Sequence, residues 1–196
     1  MSFKVKDHYF KKAKKENFYA RSIYKLEEID QKFKILKTGN YILDLGYHPG
    51  SWIQYSSKAT GQSGKVVGID IRPLNEGLNK IENVDVFEKD AFTLMGPGDL
   101  GIDRKFDVVL SDMAPNTTGI KDVDQIRSLE LVEKVFGTLP TLLKPGGNVV
   151  VKIFDSNDAQ MYLKNVSKNF EIFKKLKPKS TRSVSKEFFA IGMGYK

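Results

Sequence analysis

Two rhythms of apolar and polar positions alternate along this chain, and the switches between them outline its elements. From 20 to 33 the residues Ile23, Leu26, Ile29 and Phe33 recur at helical spacing, which predicts an amphipathic helix. After Gly39 the run YILDL (41–45) predicts a strand, followed by a helix from Trp52 to about Lys58. KVVGID predicts a second strand ending at Asp70, and VDVFE (84–88) a short third. FDVVLSD (106–112) is apolar on both faces, as a strand buried in a parallel sheet should be. A helix is expected from about Val123 to Leu143, stopping at Pro145-Gly146-Gly147. NVVVKIF (148–154) is the next buried strand, and a helix covers roughly 157–169. EIFKKLK and EFFAIGMGY close the chain as a strand pair around the basic loop PKSTRSVSK.

Strands alternating with helices and ending in a hairpin predict an α/β fold, its sheet mostly parallel with one antiparallel strand near the edge. Segment 72–83 is short for a crossover helix, so one sheet face should be thinly covered there. With no repeat, low-complexity tract or internal linker, the 196 residues read as a single domain, 1–196.

Composition narrows the chemistry. At 40% apolar and 29% charged residues the chain reads as soluble and globular. The absence of cysteine excludes a disulfide framework and thiolate metal sites, and two histidines supply no zinc set, so no metal is expected. No stretch reads as a signal peptide or membrane span, which points to the cytoplasm. The net charge of +8 is concentrated: residues 1–25 hold eight lysines and arginines against Asp7 and Glu16. Lys11, Lys12, Lys14, Lys15 and Arg21, interleaved with Phe3, Tyr9, Phe10, Phe18 and Tyr19, suit a polyanion with exposed bases. A solvated lysine-rich terminus is the plain alternative.

The stretch LDLGYHPGSW (43–52) places a glycine-bearing turn after the first strand, where an open α/β sheet binds ligands. It lacks the G-x-G-x-x-G spacing, and Pro49 removes an N–H from any phosphate cradle. Acids fall at successive strand ends: Asp44, Asp70, Asp90 and Asp112. Asp70 suits a ribose diol, and a ligand with a ribose and a cationic centre fits better than a pyrophosphate. S-adenosylmethionine is such a ligand. Asp44 either contacts it or fixes the turn by accepting backbone N–H groups. Asp90 either meets an adenine amino group or caps a turn, and Trp52 belongs either to the site or to the core.

SDMAPN (111–116) sets an acid at the end of a buried strand, and VVVKIF sets Lys152 inside another. A buried ammonium needs a carboxylate, and Asp112 is the natural partner. Such a pair is either structural or functional, and a mid-strand lysine favours function.

With RSIYKLEEID, LDLGYHPGSW, GIDIRP, LSDMAPNTTG, LKPGGNVVVKIF and KPKSTRSVSKEFF in place, the chain resembles the FtsJ/RrmJ (RlmE) family of ribosomal RNA 2′-O-methyltransferases over nearly its whole length. The resemblance implies a Rossmann-like class I fold with a seven-stranded sheet and helices on both faces. It implies methyl transfer from S-adenosylmethionine to a ribose 2′-hydroxyl, typically a uridine of large-subunit ribosomal RNA, by a monomer. It puts the family's Lys-Asp-Lys-Glu tetrad on Lys25, Asp112, Lys152 and Glu187, with Lys152 meeting the 2′-oxygen as base or charge stabiliser. Its cofactor positions fall on Gly46, Gly50, Trp52, Asp70, Asp90 and Asp112. RNA contacts would be shared between a basic arm at about 1–37 and the loop bearing Lys179, Arg182 and Lys186. Where the family has small residues this chain has Tyr47-His48, and it has Ser51 in place of glycine. That bulk must point away from the cofactor or line its methionine end. The same chemistry on tRNA, a nicotinamide oxidoreductase and a non-catalytic RNA-binding module are the rival readings. The proline-bearing turn disfavours the second and the intact tetrad the third.

Overall fold

A computed structural model describes residues 8–196. Phe3, Lys4, Lys6 and Asp7 of the basic arm lie outside the described residues. Seven strands form one sheet: β1 (Tyr41–Leu45), β2 (Lys65–Asp70), β3 (Val84–Glu88), β4 (Phe106–Ser111), β5 (Leu143–Phe154), β6 (Phe170–Leu176) and β7 (Glu187–Tyr195). Their order is β3-β2-β1-β4-β5-β7-β6. Strands β1 to β5 pair in parallel, while β7 runs antiparallel to both β5 and β6. One reversed strand next to the edge is what the terminal hairpin predicts.

The helices are α1 (His8–Lys15), α2 (Ile23–Phe33), α3 (Ser51–Thr60), α4 (Lys121–Leu142) and α5 (Asn157–Val166). Period-2 alternation divides the core between two sheet faces. On one, Leu26 and Ile29 of α2 and Ile53 of α3 pack with Val108, Leu110, Val150 and Phe189. On the other, Val132, Val135 and Leu139 of α4 and Leu163 of α5 pack with Val109, Val149, Val151 and Ile153. Two covered faces explain why the central strands read as unbroken apolar runs.

Two boundaries differ from expectation for local reasons. Helix α2 starts at Ile23, not at 20, because residues 20–22 form a turn before it. It ends at Phe33 as expected, where Lys34 turns left-handed at φ 54° and donates to the Asp30 carbonyl. Strand β5 begins at Leu143, straight after α4, and absorbs Pro145-Gly146-Gly147 through an irregularity of register against β4. The arm is also less open than its composition suggests. Ala13, Ile23 and Tyr24 form a small third core, against which Tyr9 and Phe18 pack. Both rings lie on Tyr24, at centroid distances of 5.4 and 6.5 Å, so α1 is docked and these two aromatics are not offered to bases.

Segment 72–83 contributes a single short turn, Leu78–Lys80, in place of a crossover helix. Leu78 is fully buried there and fills the space beside Gly50, where an added Cβ would come within 2.5 Å of it. Gly50 is therefore required by packing and by its φ of 112°. Since one leucine carries most of this cover, Leu78→Ala should destabilise the protein by about 2–4 kcal/mol in urea unfolding, with its slope unchanged.

Candidate functional site

Strand register brings the charged residues together. Ser111 of β4 pairs with Val151 of β5, which sets Asp112 beside Lys152 at the end of the sheet. Across the antiparallel edge Lys152 pairs with Phe189 and Phe154 with Glu187, so Glu187 stands one step along the same face. Lys152 follows Val150 in the row covered by α2 and α3, and α2 carries Lys25 into that row.

The contacts form a chain of alternating charge. Lys152 is 8% exposed; its Nζ lies 2.9 Å from Asp112 Oδ1 and donates to the Asp112 carbonyl. Lys25 Nζ lies 3.9 Å from the same Oδ1 and 2.5 Å from Glu187 Oε1. Burial pushes the Glu187 carboxyl up, but Lys25 through charge and hydrogen bond, then Lys152 and Ser185, outweigh it and hold the group below its usual value. Two cations and two acids thus cancel in a largely water-excluded cluster, the condition under which buried charge is tolerated. All four residues expected from the tetrad meet here.

The first turn is not fixed by Asp44, one of the two roles expected of that residue. The turn's backbone is held by Asp70, whose two oxygens accept the N–H groups of His48 and Arg72, each at 2.9 Å. Asp44 is 1% exposed, and its Oδ2 has no hydrogen-bond partner. Burial first, then the charges of Asp112 and Asp70, drive its carboxyl well above the ordinary carboxylate range. An acid kept in this condition is matched to a positively charged ligand.

A cleft of about 550 Å³ opens beside it, lined by Gly46, His48, Asp70, Asp90, Asp112 and Met113 among others. Gly46, at φ 73°, leaves room for Met113, whose Cγ would lie 2.1 Å from any added Cβ. Asp90 lines the cleft and also caps a turn by accepting the Phe92 N–H. Gly50 and Trp52, expected at the cofactor, do not line this cleft. Trp52 sits in the core with its Nε1 donating to the Ser22 carbonyl and its ring 5.7 Å from Phe189, so it supports the turn from behind. Tyr47 points away into the core, where its hydroxyl accepts the Asn75 N–H at 3.4 Å, while His48 faces the cleft. Ser51 bonds Ser22, tying α3 to α2. Met113 and Ile71 line the cleft without having been singled out, although each directly follows a strand-end acid.

A second hollow, about 370 Å³, lies between α2 and the 177–186 loop and contains Arg21, Lys25, Arg182, Val184 and Glu187. Lys11, Lys14, Lys15, Lys179, Arg182 and Lys186 are exposed. Lys12 instead lies over the Tyr24 ring at 4.3 Å, and Arg21 donates to the Ser180 carbonyl and covers the Tyr9 ring. Both therefore act first in holding the arm and loop in place. Among the described residues no group of acids and histidines is arranged to hold a metal, and no helix is long and apolar enough to cross a membrane.

The FtsJ-like methyltransferase profile matches residues 18–195. Ribosomal RNA large subunit methyltransferase E of Desulfatibacillum aliphaticivorans is 46% identical over 191 residues, covering 97% of this chain and 91% of its own. The protein of the same name from Bdellovibrio bacteriovorus is 45% identical over 206 residues and covers 100% of both chains. Among solved structures, a Plasmodium falciparum protein described as a ribosomal RNA methyltransferase superposes with a TM-score of 0.77 at 26% identity, covering 91% of this chain and 98% of that one. Aeropyrum pernix fibrillarin, in complex with natively bound S-adenosyl-L-methionine, shares the fold at a TM-score of 0.67 and 17% identity, covering 88% and 76%.

The two perturbed acids act on stability in opposite directions. Glu187, held below 4.5, contributes stability above that value and loses it as pH falls through its folded value. Asp44, raised far above 3.8, contributes stability only below its ordinary value and removes it as pH climbs toward the folded one. Asp44→Asn should therefore raise the melting temperature of the ligand-free protein at about pH 8 by roughly 2–4 °C, the response to about 1 kcal/mol. The gain should disappear toward about pH 4, as thermal scans across pH would register.

Proposed function

The chain belongs to the FtsJ-like methyltransferase family, and from that premise we propose that it methylates a ribose 2′-hydroxyl of large-subunit ribosomal RNA, at a uridine, using S-adenosylmethionine. The observation that carries this reading is the position of the Lys152–Asp112–Lys25–Glu187 chain. Asp112 lines the acidic cleft while Lys25 and Glu187 line the basic hollow, so the cluster is the wall the two share.

The cleft suits the methyl donor chemically. Its volume is that of a small-molecule site. Asp70 and Asp112 in its wall, with Asp44 and its orphaned oxygen in the adjoining small hollow, would favour an ammonium and a sulfonium and repel a diphosphate. Asp70 keeps lone pairs for a ribose diol after its two backbone bonds, since each carboxylate oxygen accepts more than one hydrogen bond. Bound there, S-adenosylmethionine supplies a methyl carbon activated by sulfonium, so transfer needs only an aligned oxygen that gives up its proton.

This chain's residues provide the alignment. Lys152 Nζ donates to the Asp112 carbonyl and pairs by charge with its carboxylate, which leaves donor capacity for the 2′-oxygen. Asp112 holds that amine in place, and Lys25 holds Asp112 from the other side. Glu187 fixes Lys25 and faces the hollow that would receive the target nucleotide. Holding nucleophile and donor in line is worth far more than acid–base help alone. Lys11, Lys14, Lys15, Lys179, Arg182 and Lys186 supply backbone attraction with little sequence choice. We read residues 1–196 as one catalytic unit, with the segment to about 37 as its RNA-facing part, working in the cytoplasm where ribosomal subunits are assembled.

Transfer of label from S-adenosylmethionine to undermethylated large ribosomal subunits tests the reading. Label should appear on ribose. Lys152→Ala should lower kcat at least about 100-fold while leaving cofactor affinity within a few-fold. Label on tRNA but not on subunits would replace the substrate assigned here. Replacing Lys11, Lys14 and Lys15 together with alanine should make the salt dependence of RNA binding shallower by roughly 2–3 in the log–log slope. Cofactor affinity, read by calorimetry, should not change.

A further inference from the structure

The loop between β6 and β7 is held to α2 by a clasp that the reaction described above does not use. Glu28 Oε2 accepts the backbone N–H of Lys179 at 2.6 Å, and Oε1 accepts that of Ser180 at 2.9 Å. Arg21 donates to the Ser180 carbonyl from just ahead of the helix. Two successive turns make the loop compact: Thr181 N–H reaches the Pro178 carbonyl at 3.0 Å, and Ser185 N–H the Arg182 carbonyl at 2.9 Å. The Lys177 amine also bonds the Ser185 carbonyl at 2.6 Å. Such a unit moves as a body, and its placement is set by whatever grips it.

Helix α2 grips it twice. Lys25 and Glu28 are three residues apart, hence on one face. Lys25 takes Glu187 at the loop's far end, and Glu28 takes the two N–H groups at its near end. A carboxylate receiving two backbone donors is a charge-assisted pair, roughly twice as strong as neutral hydrogen bonds. Between the two grips stand Arg182 and Val184, both of which line the hollow beside Lys25.

We propose that Glu28 is a positioning residue for RNA: its carboxylate sets the 178–186 loop so that Arg182 faces the incoming strand over the Lys25–Glu187 hollow. The inference rests on the reading of this loop as an RNA contact. Glu28 itself touches neither cofactor nor substrate. Its loss leaves the near end of the loop held only by Arg21 at the Ser180 carbonyl, while Lys25 still holds Glu187, so the effect falls on RNA capture and not on the methyl-transfer step.

Steady-state transfer to undermethylated large ribosomal subunits, with the full chain, decides it. Glu28→Ala should raise KM for subunits about tenfold, with kcat within about twofold. Cofactor affinity by calorimetry should match wild type. Glu28→Gln keeps one acceptor oxygen, and its KM should fall between the two; it also serves should the alanine variant fold poorly. Arg182→Ala should raise KM by a similar factor. The double variant should be no worse than the more affected single one, because Glu28 acts through the loop that presents Arg182. Unchanged KM in Glu28→Ala, a joint fall in kcat and cofactor affinity, an additive double variant, or an Arg182→Ala indistinguishable from wild type would each overturn the proposal. Were wild type to transfer no label to subunits, the substrate reading would fall. Filter binding of ribosomal RNA by wild type and Glu28→Ala would then judge the clasp separately, equal affinities overturning it.

Discussion

An ammonium group inside a β-sheet is tolerated only with negative charge in reach, and much of this molecule answers that demand at Lys152. An unpaired charge there would cost on the order of several kcal/mol. The parallel register of β4 and β5 meets it by ending β4 one residue before Asp112. Asp112 alone would leave the pair open at one end, and Lys25 and Glu187 extend it to a neutral four-member chain. Each extension constrains a separate element. Helix α2 must lie on the Val150–Lys152 face, and β7 must run antiparallel so that Glu187 falls two residues from the partner of Lys152. Reversing β7 is what lets an acid from the far end of the chain reach the same face as an acid that follows a central strand.

The fold was legible because its signals are local. Strand runs apolar on both faces, the Gly39 and Pro145-Gly146-Gly147 punctuation and the 3–4 spacing of Ile23, Leu26 and Ile29 each act within a few residues. The Lys152–Asp112 pair was legible for a different reason: a lysine between Val151 and Ile153 violates the local pattern, and violations of pattern concentrate at functional sites, whereas Lys25 and Glu187 entered only through the family resemblance. What stayed hidden depends on distance. Asp70, not Asp44, holds the glycine turn, since the N–H groups of residues 46–48 face the end of β2 and not of β1. Of the two roles left open for Trp52, the core one is met by a ring 137 positions later, Phe189, tilted against it. Tyr9 and Phe18, read as stacking platforms, are claimed by Tyr24. Glu28 carries no signal of its own on an amphipathic helix; its partners lie 151 and 152 residues away.

Charge is segregated across the tetrad, and that segregation bears on how one small domain holds two unlike ligands. On one side Asp70, Asp90 and Asp112 line a cleft, and Asp44 lines a small adjoining hollow that shares Gly46, His48 and Asp112 with it. On the other, Arg21, Lys25 and Arg182 surround a hollow fed by exposed lysines. A polyanion drawn toward the basic side would meet acids as it neared the cleft, which keeps phosphates out of it even though the two hollows share a wall. The neutral Lys152–Asp112–Lys25–Glu187 chain stands between the two sides. A ribose hydroxyl, uncharged until it loses its proton, is the part of an RNA that crosses such a boundary without strong attraction or repulsion. Asp44 has a related role from behind the cleft. With no hydrogen-bond donor for its Oδ2, it leaves the free protein with an unsatisfied buried acid that a bound cation would satisfy. The same residue that weakens the empty fold would therefore strengthen capture of a cationic ligand under the proposed reading, the usual division where stability and function compete for one side chain.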